Sequence, residues 1–586
     1  MPQPDVRHTM SSAEQPYAAS PYTNGYEFSQ GRGYALPEYP FVPPPALVEG
    51  TVGRCQVAIV GGGLSGLTLA CALARQGVEA VLLDEDNTVG VKGASSRGIC
   101  YTQKSLEIFQ RLGIFERIAA KGIQWRVGRT YLDDDEIYAF DLQRQPGFEL
   151  SEQPPFINIQ QFYVEGYLVE RIMELGHVEL RWSSRVTGFR MDEDGARLEV
   201  QTPAGQYVLQ ADYVVDATGS RSPFRAWAGA QMSGQRSDDR WCIADVRFAD
   251  QPPLERHTWV EAPFNEGRAV WQHLMGDGVW RIDYQMAPDA DPREISREDI
   301  VRERLAQQFG ADCEVEVLWV GPWMYRSECI DRMRYHRLFF MGDAAKVVSP
   351  FGARGGNTGV ADADNLAWKL AAVTRGAAPP ELLETYHDER HEAALVNIAV
   401  TDRTARFMRA RTATERLFRS AVLSLARQHP FARSFVNTGR MAVANRYTRS
   451  PVCGLHGGTS VQNVRFTRPN GTQALLNDLL ESGGPHVLVL LLFGRPGQAD
   501  DSLQRERLAG LPVRCIAVQE GQASAGGIDH IVDAEGRLRR ACMLPATSGW
   551  ALLRPDAYLA AAGSLEHDDP VAAVRTALGL AAKGIQ

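Results

Sequence analysis

Three glycine-centred turns hold the residues whose types and spacing can do chemistry. The first, Gly61-Gly62-Gly63-Leu64-Ser65-Gly66, follows a short apolar strand, Gln56 to Val60, and opens a helix that runs to Arg75. A second strand, Ala80 to Leu83, ends at Asp84. This is G-x-G-x-x-G set between strand and helix. Gly61 allows the tight turn, Gly63 lets a pyrophosphate approach the backbone, and Gly66 lets helix pack on strand. Asp84 comes about 20 positions later, where a carboxylate can accept from a ribose hydroxyl. Just beyond it, Arg97 is either a solvated surface arginine or a donor fork for that pyrophosphate. The second turn, Thr218-Gly219, ends the strand Asp212 to Asp216. The third follows the apolar run Leu338 to Met341 with Gly342-Asp343. A loop, Lys346 to Gly355, contains Pro350, and a helix is expected from near Gly356-Asn357 to a C-terminal Gly376. Free N–H groups and the macrodipole at that helix start favour an anion, and small residues admit a flat ligand.

The elements that must position these turns follow from pattern. Residues 1–52 are rich in Pro, Ser, Tyr and Gln and read as an extended tail, with Tyr34, Tyr39 and Phe41 as anchors. Pro43-Pro44-Pro45 excludes helix and central strand there. Residues 53–454 read as two interleaved units, a Rossmann-like α/β unit and a sheet at roughly 128–165 and 230–325 where apolar residues alternate. On Trp280-Arg281-Ile282-Asp283-Tyr284, the two aromatics share one face and Arg281 and Asp283 the other. The aromatic face is expected to be sheet core. Arginine-rich helices follow from Pro380 to about Val436, and residues 455–586 read as a separate small α/β domain with no evident chemistry. A second G-x-G-x-x-G is absent, so a second dinucleotide must visit without its own domain.

Composition narrows the classes. At 586 residues the chain has room for about two to four domains. A net charge of −9 with scattered bases argues against nucleic acid as partner. The longest apolar run, Val487 to Phe493, is too short to span a bilayer, and no signal peptide is expected. Nine dispersed cysteines without C-x-x-C fit a reducing cytoplasm, with no metal site.

Together these residues resemble the group A flavoprotein monooxygenases of the para-hydroxybenzoate hydroxylase fold, nearest the 3-(3-hydroxyphenyl)propionate hydroxylase and phenol hydroxylase branch. The resemblance covers about Val57 to Val436 and implies an FAD-binding domain interleaved with an antiparallel-sheet (α+β) substrate domain. It also implies a thioredoxin-like C-terminal domain, structural because it lacks C-x-x-C. The implied cofactor is bound FAD, with NADH or NADPH visiting and O2 as co-substrate. The implied reaction is hydroxylation of a phenolic ring through a C4a-hydroperoxyflavin. By carry-over, Gly61, Gly63, Leu64, Ser65, Gly66 and Asp84 hold the ADP half. Asp343, next to Gly342, takes ribityl or ribose hydroxyls, Gly355, Gly356 and Asn357 face the isoalloxazine, and Pro350 belongs to the same cofactor-binding motif. Arg97 and Gln161 contact flavin, and Thr218-Gly219 matches a motif tied to both FAD and NAD(P)H.

The sequence departs from the family at two positions: Thr218 stands where Asp is usual and Lys346 where His is usual. Candidates for assisting phenol ionisation are His273, Arg281 and Tyr284, with Lys346 a cation beside the flavin. Two alternatives remain at this point, a flavin oxidoreductase of another reaction class and a flavin-binding protein with impaired NAD(P)H reactivity. The resemblance also allows a homodimer, and no membrane partner is expected.

Overall fold

The computed structural model describes residues 33–90, 98–144, 147–192, 195–436, 443–480, 487–494, 508–520, 529–545 and 548–580. Arg97 lies outside them. A mainly parallel sheet runs in the order Arg334–Tyr335, Leu338–Phe340, Gly205–Asp216, Val52–Val60, Ala80–Leu83, Val178–Arg181. Its central strands are continuous apolar runs because both faces are covered. Val57, Ala58, Ile59, Val214, Val215, Leu338 and Phe339 are all buried. Registers align three strand ends: Val60 pairs with Asp216, and Asp216 with Phe340. All three glycine turns therefore leave the same edge of the sheet, although the first and third lie far apart in sequence.

Two helices run back from that edge, Leu64–Arg75 and Arg354–Thr374. They meet through small residues. A Cβ on Gly359 would lie 2.3 Å from Ser65 Oγ, and one on Gly342 2.5 Å from the same atom. The second helix begins two residues earlier than expected, after Ala353 in the left-handed region at φ 56°. The loop before it is also shorter, since Lys346–Val347 pairs with Glu328 and Cys329. In the N-terminal stretch Pro45 is the first residue of a short helix, Pro45–Glu49. The expectation that all three prolines exclude helix fails there because the first helical turn needs no proline N–H. Tyr39 stacks on Trp182 with centroids 4.4 Å apart, and Tyr34 donates to Asp245 Oδ2 at 2.9 Å. Phe41 is half-buried.

The second large sheet is mostly antiparallel, in the order Lys346–Val347, Val315–Ile330, Met232–Phe248, Val279–Gln285, Arg268–Leu274, Arg256–Ala262, Val127–Leu132, Asp135–Asp141. Phe156–Asn158 is not part of it but pairs with Cys100–Thr102. One face packs on the helix Glu298–Phe309, burying Trp280, Ile282 and Tyr284 with Val301 and Leu305. The other face looks toward the glycine turns. A third, mixed sheet forms the C-terminal domain, with Leu488–Phe493 at its centre, parallel to Val513–Gln519 and antiparallel to Gly549–Leu553. Among the described residues no helix is long and apolar enough to cross a membrane.

Candidate active site

A cavity of about 430 Å³ joins the edge of the parallel sheet to the open face of the antiparallel sheet. Its first end is backbone. Gly61 has φ 110°, and a Cβ there would lie 2.5 Å from the Ala217 carbonyl oxygen, so only glycine fits between the first and second turns. Gly66 is packed for a similar reason: its Cβ would stand 2.0 Å from the Gly61 carbonyl oxygen. Gly63 is the opposite case. It caps the helix Leu64–Arg75, lines the cavity, and has no atom within 4 Å of an added Cβ. That open space in front of free helix N–H groups fits a pyrophosphate. Asp84 lines the cavity and accepts from Gly62 N–H at 2.5 Å and Asp86 N–H at 2.8 Å. Burial, then the charge of Asp86, pushes its carboxyl up to about 7.

At the second turn Thr218 and Gly219 line the cavity. Thr218 donates from N–H at 3.0 Å and from Oγ1 at 2.6 Å to Asp216 Oδ1. Ser222 donates to the other oxygen of the same buried carboxylate. Burial raises the Asp216 pKa, and these hydrogen bonds and Arg225 oppose the rise. A carboxylate is thus present two residues before the position where sequence reasoning found it missing. The signal was an Asp closing an otherwise apolar strand.

The third turn brings Asp343, Pro350, Gly355, Gly356 and Asn357 to the cavity wall, with Leu64 and Ser65 opposite. Gly342 itself sits behind the wall against Ser65. The side chain of Asn357 is committed to a neighbouring strand: Oδ1 accepts from Thr102 N–H at 2.9 Å and Nδ2 donates to Cys100 O at 2.8 Å. What Asn357 offers a ligand is its place at the helix start. Gln161 also lines the cavity, accepting from Gly98 N–H at 2.9 Å and donating to Glu165 at 2.7 Å.

Two catalytic candidates fall away. Lys346 is buried and pairs with Asp362, which also accepts from Gly342 N–H at 3.0 Å and Arg390 Nε at 2.7 Å. The short strand at Lys346–Val347 turns this side chain into the protein, so it is a compensated internal cation and not a charge beside a flavin. Tyr284 points to the far side of its sheet, fully buried, donating to Gln308 Oε1 at 2.8 Å. Strand alternation places it there together with Trp280.

Arg281 and His273 do line the cavity, as neighbours across paired strands. Arg281 donates from Nε to Asp283 Oδ1 at 2.8 Å, and His273 Nε2 lies 3.9 Å from Asp283 Oδ2. Burial, followed by the charges of Arg256 and Arg281, holds His273 well below its usual pKa, so its ring is neutral. Sequence reasoning missed Arg256, Thr258, Trp125, Trp319 and Trp323 on this wall. Alternation along Arg256–Ala262 puts Arg256 and Thr258 on one face and would have found that pair. The sheet meets the third turn where Phe351 packs edge-on against Trp271 at 5.1 Å.

A parallel sheet with three phosphate- and ribose-competent turns at one edge, facing an aromatic-lined antiparallel sheet, defines a flavoprotein of the two-unit hydroxylase kind. Comparison with known proteins agrees. A family model described as FAD binding domain matches residues 54–401, and one described as HcaD C-terminal domain matches residues 458–577. The chain belongs to the FAD-binding family of flavin-dependent aromatic monooxygenases. The 6-methylpretetramide 4-monooxygenase of Streptomyces rimosus is 30% identical over 537 residues, 87% of this chain and 90% of that one. A 3-(3-hydroxy-phenyl)propionate/3-hydroxycinnamic acid hydroxylase of Mycolicibacterium smegmatis is 27% identical over 438 residues, 74% of this chain and 76% of that one. The crystal structure of the flavin-dependent monooxygenase PieE with FAD and substrate superimposes with a TM-score of 0.76 at 22% identity, over 90% of this chain and 99% of that one, and so shares the fold.

Proposed function

We propose that this monooxygenase hydroxylates a phenolic or similarly electron-rich aromatic small molecule, with NADH or NADPH as reductant and O2 as oxidant. The observation that carries the reading is the single cavity. It runs from Gly63 and Asp84 past Asp343 and Gly356 to His273 and Arg281. FAD bound along its first part supplies the oxygen activation. The chain's own residues bind and shield. The open backbone at Gly63 and the helix start at Gly355-Gly356 favour negative charge on the ligand. Trp271, Trp319, Trp323 and Phe351 provide flat apolar walls and exclude water from the reacting ring. Neutral His273 can accept the proton of a ring hydroxyl at an imidazole nitrogen. Nine cysteines without a disulfide among the described ones suit a reducing cytoplasm.

Purified protein carrying stoichiometric FAD, tested with both nicotinamides and a panel of phenols, checks the reading. Phenol-stimulated oxygen uptake with a hydroxylated product supports it. FAD that neither nicotinamide reduces, or turnover without oxygen incorporation, overturns it.

A further inference from the structure

Arg256 and Arg281 both face the cavity from the antiparallel sheet, and their surroundings differ. Arg281 has Asp283 at 2.8 Å. Arg256 has no carboxylate within ion-pair distance among the described residues, and its Nε has no hydrogen-bond acceptor. Its guanidinium lies over the Trp125 ring, with the centroid 6.0 Å away. The adjacent Glu255 is taken by Arg129, at 2.5 and 3.0 Å. The Cys100 thiol and Tyr138 hydroxyl also face Arg256, but burial raises both and keeps them neutral. Asp283 is within electrostatic reach but is already held by Arg281.

Donors beside Arg256 lack hydrogen-bond partners as well. Trp125 Nε1 and Thr258 Oγ1 are buried without a hydrogen bond, on side chains that line the same cavity and are 3% and 4% exposed. Arg256 is half-buried, and a cation whose buried Nε stands beside unmet donors is costly unless an acceptor-rich group returns the lost solvation. We propose that Arg256, flanked by Trp125 and Thr258, binds an oxyanion on the aromatic substrate. The substrate class is then an acidic aromatic, a ring bearing a carboxylate or an ionised ring hydroxyl. This rests on the hydroxylase reading for the kind of occupant and adds the charge that occupant carries.

The test is calorimetric titration of oxidised holoenzyme with 3-hydroxy-2-naphthoate, its neutral amide 3-hydroxy-2-naphthamide, and 2,4-dinitro-1-naphtholate. At least one anion should bind about tenfold or more tighter than the amide. Preference for the naphthoate alone assigns a carboxylate, for the naphtholate alone a ring oxyanion, and for both a general oxyanion site. R256Q should erase the margin while retaining FAD and amide binding. R256K keeps the charge without the planar fork and should show roughly a third or less of the wild-type margin. Should R256Q lose FAD, R256K takes its place, and an undiminished margin in it overturns the assignment. Equal wild-type binding of anion and amide, no binding of either anion, or a preference that survives in R256Q also overturns it. Failure of the hydroxylase reading shows separately, as a wild-type holoenzyme whose oxygen uptake no phenol stimulates.

Discussion

The network under the third turn and Arg256 on the facing sheet treat charge in opposite ways. Under the third turn a set of buried charges is matched. Lys346, Asp362 and Arg390 form one group under the third turn. A second group follows it, where Lys369 Nζ lies 2.8 Å from Glu389 and Arg554 reaches both Glu389 oxygens at 2.5 and 2.9 Å. Arg554 also donates to Asp556, at 3.0 Å from Nε. Tyr447 bridges the groups, accepting from Arg390 at 3.0 Å and stacking on Tyr558 at 4.4 Å. The C-terminal domain, which looked chemically empty in sequence, thus inserts its Arg554-Pro555-Asp556 turn into the network that backs the flavin loop. On the facing sheet, Arg256 has no such partner. Matched charge there fixes a scaffold, and unmatched charge here is a handle for a ligand.

Opposite signs in stability test that contrast. Arg554→Met leaves Glu389 and Asp556 short of a counter-charge in the interior and should cost about 3–5 kcal/mol in denaturant unfolding. Arg256→Met removes a cation that nothing compensates and should leave the unfolding midpoint unchanged or raised. If both variants lose stability alike, that contrast is gone.

The next effect separates packing glycines from ligand-facing ones. Gly66→Ala drives a methyl into the Gly61 carbonyl and should cost about 1–3 kcal/mol together with FAD retention. Gly63→Ala meets no atom, so unfolding of the apoprotein should match wild type while flavin absorbance after gel filtration falls. Equal stability losses in the two variants would show that Gly63 serves packing.

Smaller still is Tyr284→Phe. It deletes one buried hydrogen bond to Gln308, costing about 1 kcal/mol, with no change in phenol-dependent turnover because the hydroxyl is outside the cavity. A turnover loss without a stability loss would return Tyr284 to the site.

Two carboxylates should show opposite pH dependence. Burial opposes ionisation of Glu389, but Arg554 and Lys369 hold its pKa below the usual range. Its contribution is complete above an unfolded value near 4.5 and is lost as pH falls toward the folded value. Asp84 is raised from 3.8 to about 7, so the folded apoprotein binds the extra proton, and its contribution to stability rises as pH falls through that window. Asp84→Asn should flatten the slope of apoprotein stability between pH 7 and 5, and Glu389→Gln the slope below about 4.5. Slopes that persist in both variants would remove this account.

How much was legible follows from what each feature depends on. The first turn and Asp84 could be read because a glycine pattern, a strand and a helix are local facts. Helix Arg354–Thr374 was read nearly in place for the same reason. The faces of Trp280 to Tyr284 could be separated by alternation, but assigning catalysis to Tyr284 required knowing which face met the cavity. Lys346 was misjudged because proximity in sequence to Asp343 says nothing about where a side chain turns once its residue joins a strand. Asp216 was overlooked because its value lies in accepting from Thr218 and Ser222, which only the folded turn brings around it.

By itself the sequence determined the three turns, their order and the apolar strands that end in them, since backbone conformation at glycines and strand periodicity are short-range properties. Only the tertiary structure decided that Val60, Asp216 and Phe340 stand side by side, so that three distant turns share one cavity. It also decided that Arg256 faces that cavity without a carboxylate while Arg554 is surrounded by them. Whether a buried charge is met depends on strand register and domain packing, and those follow from burying all the apolar surfaces at once.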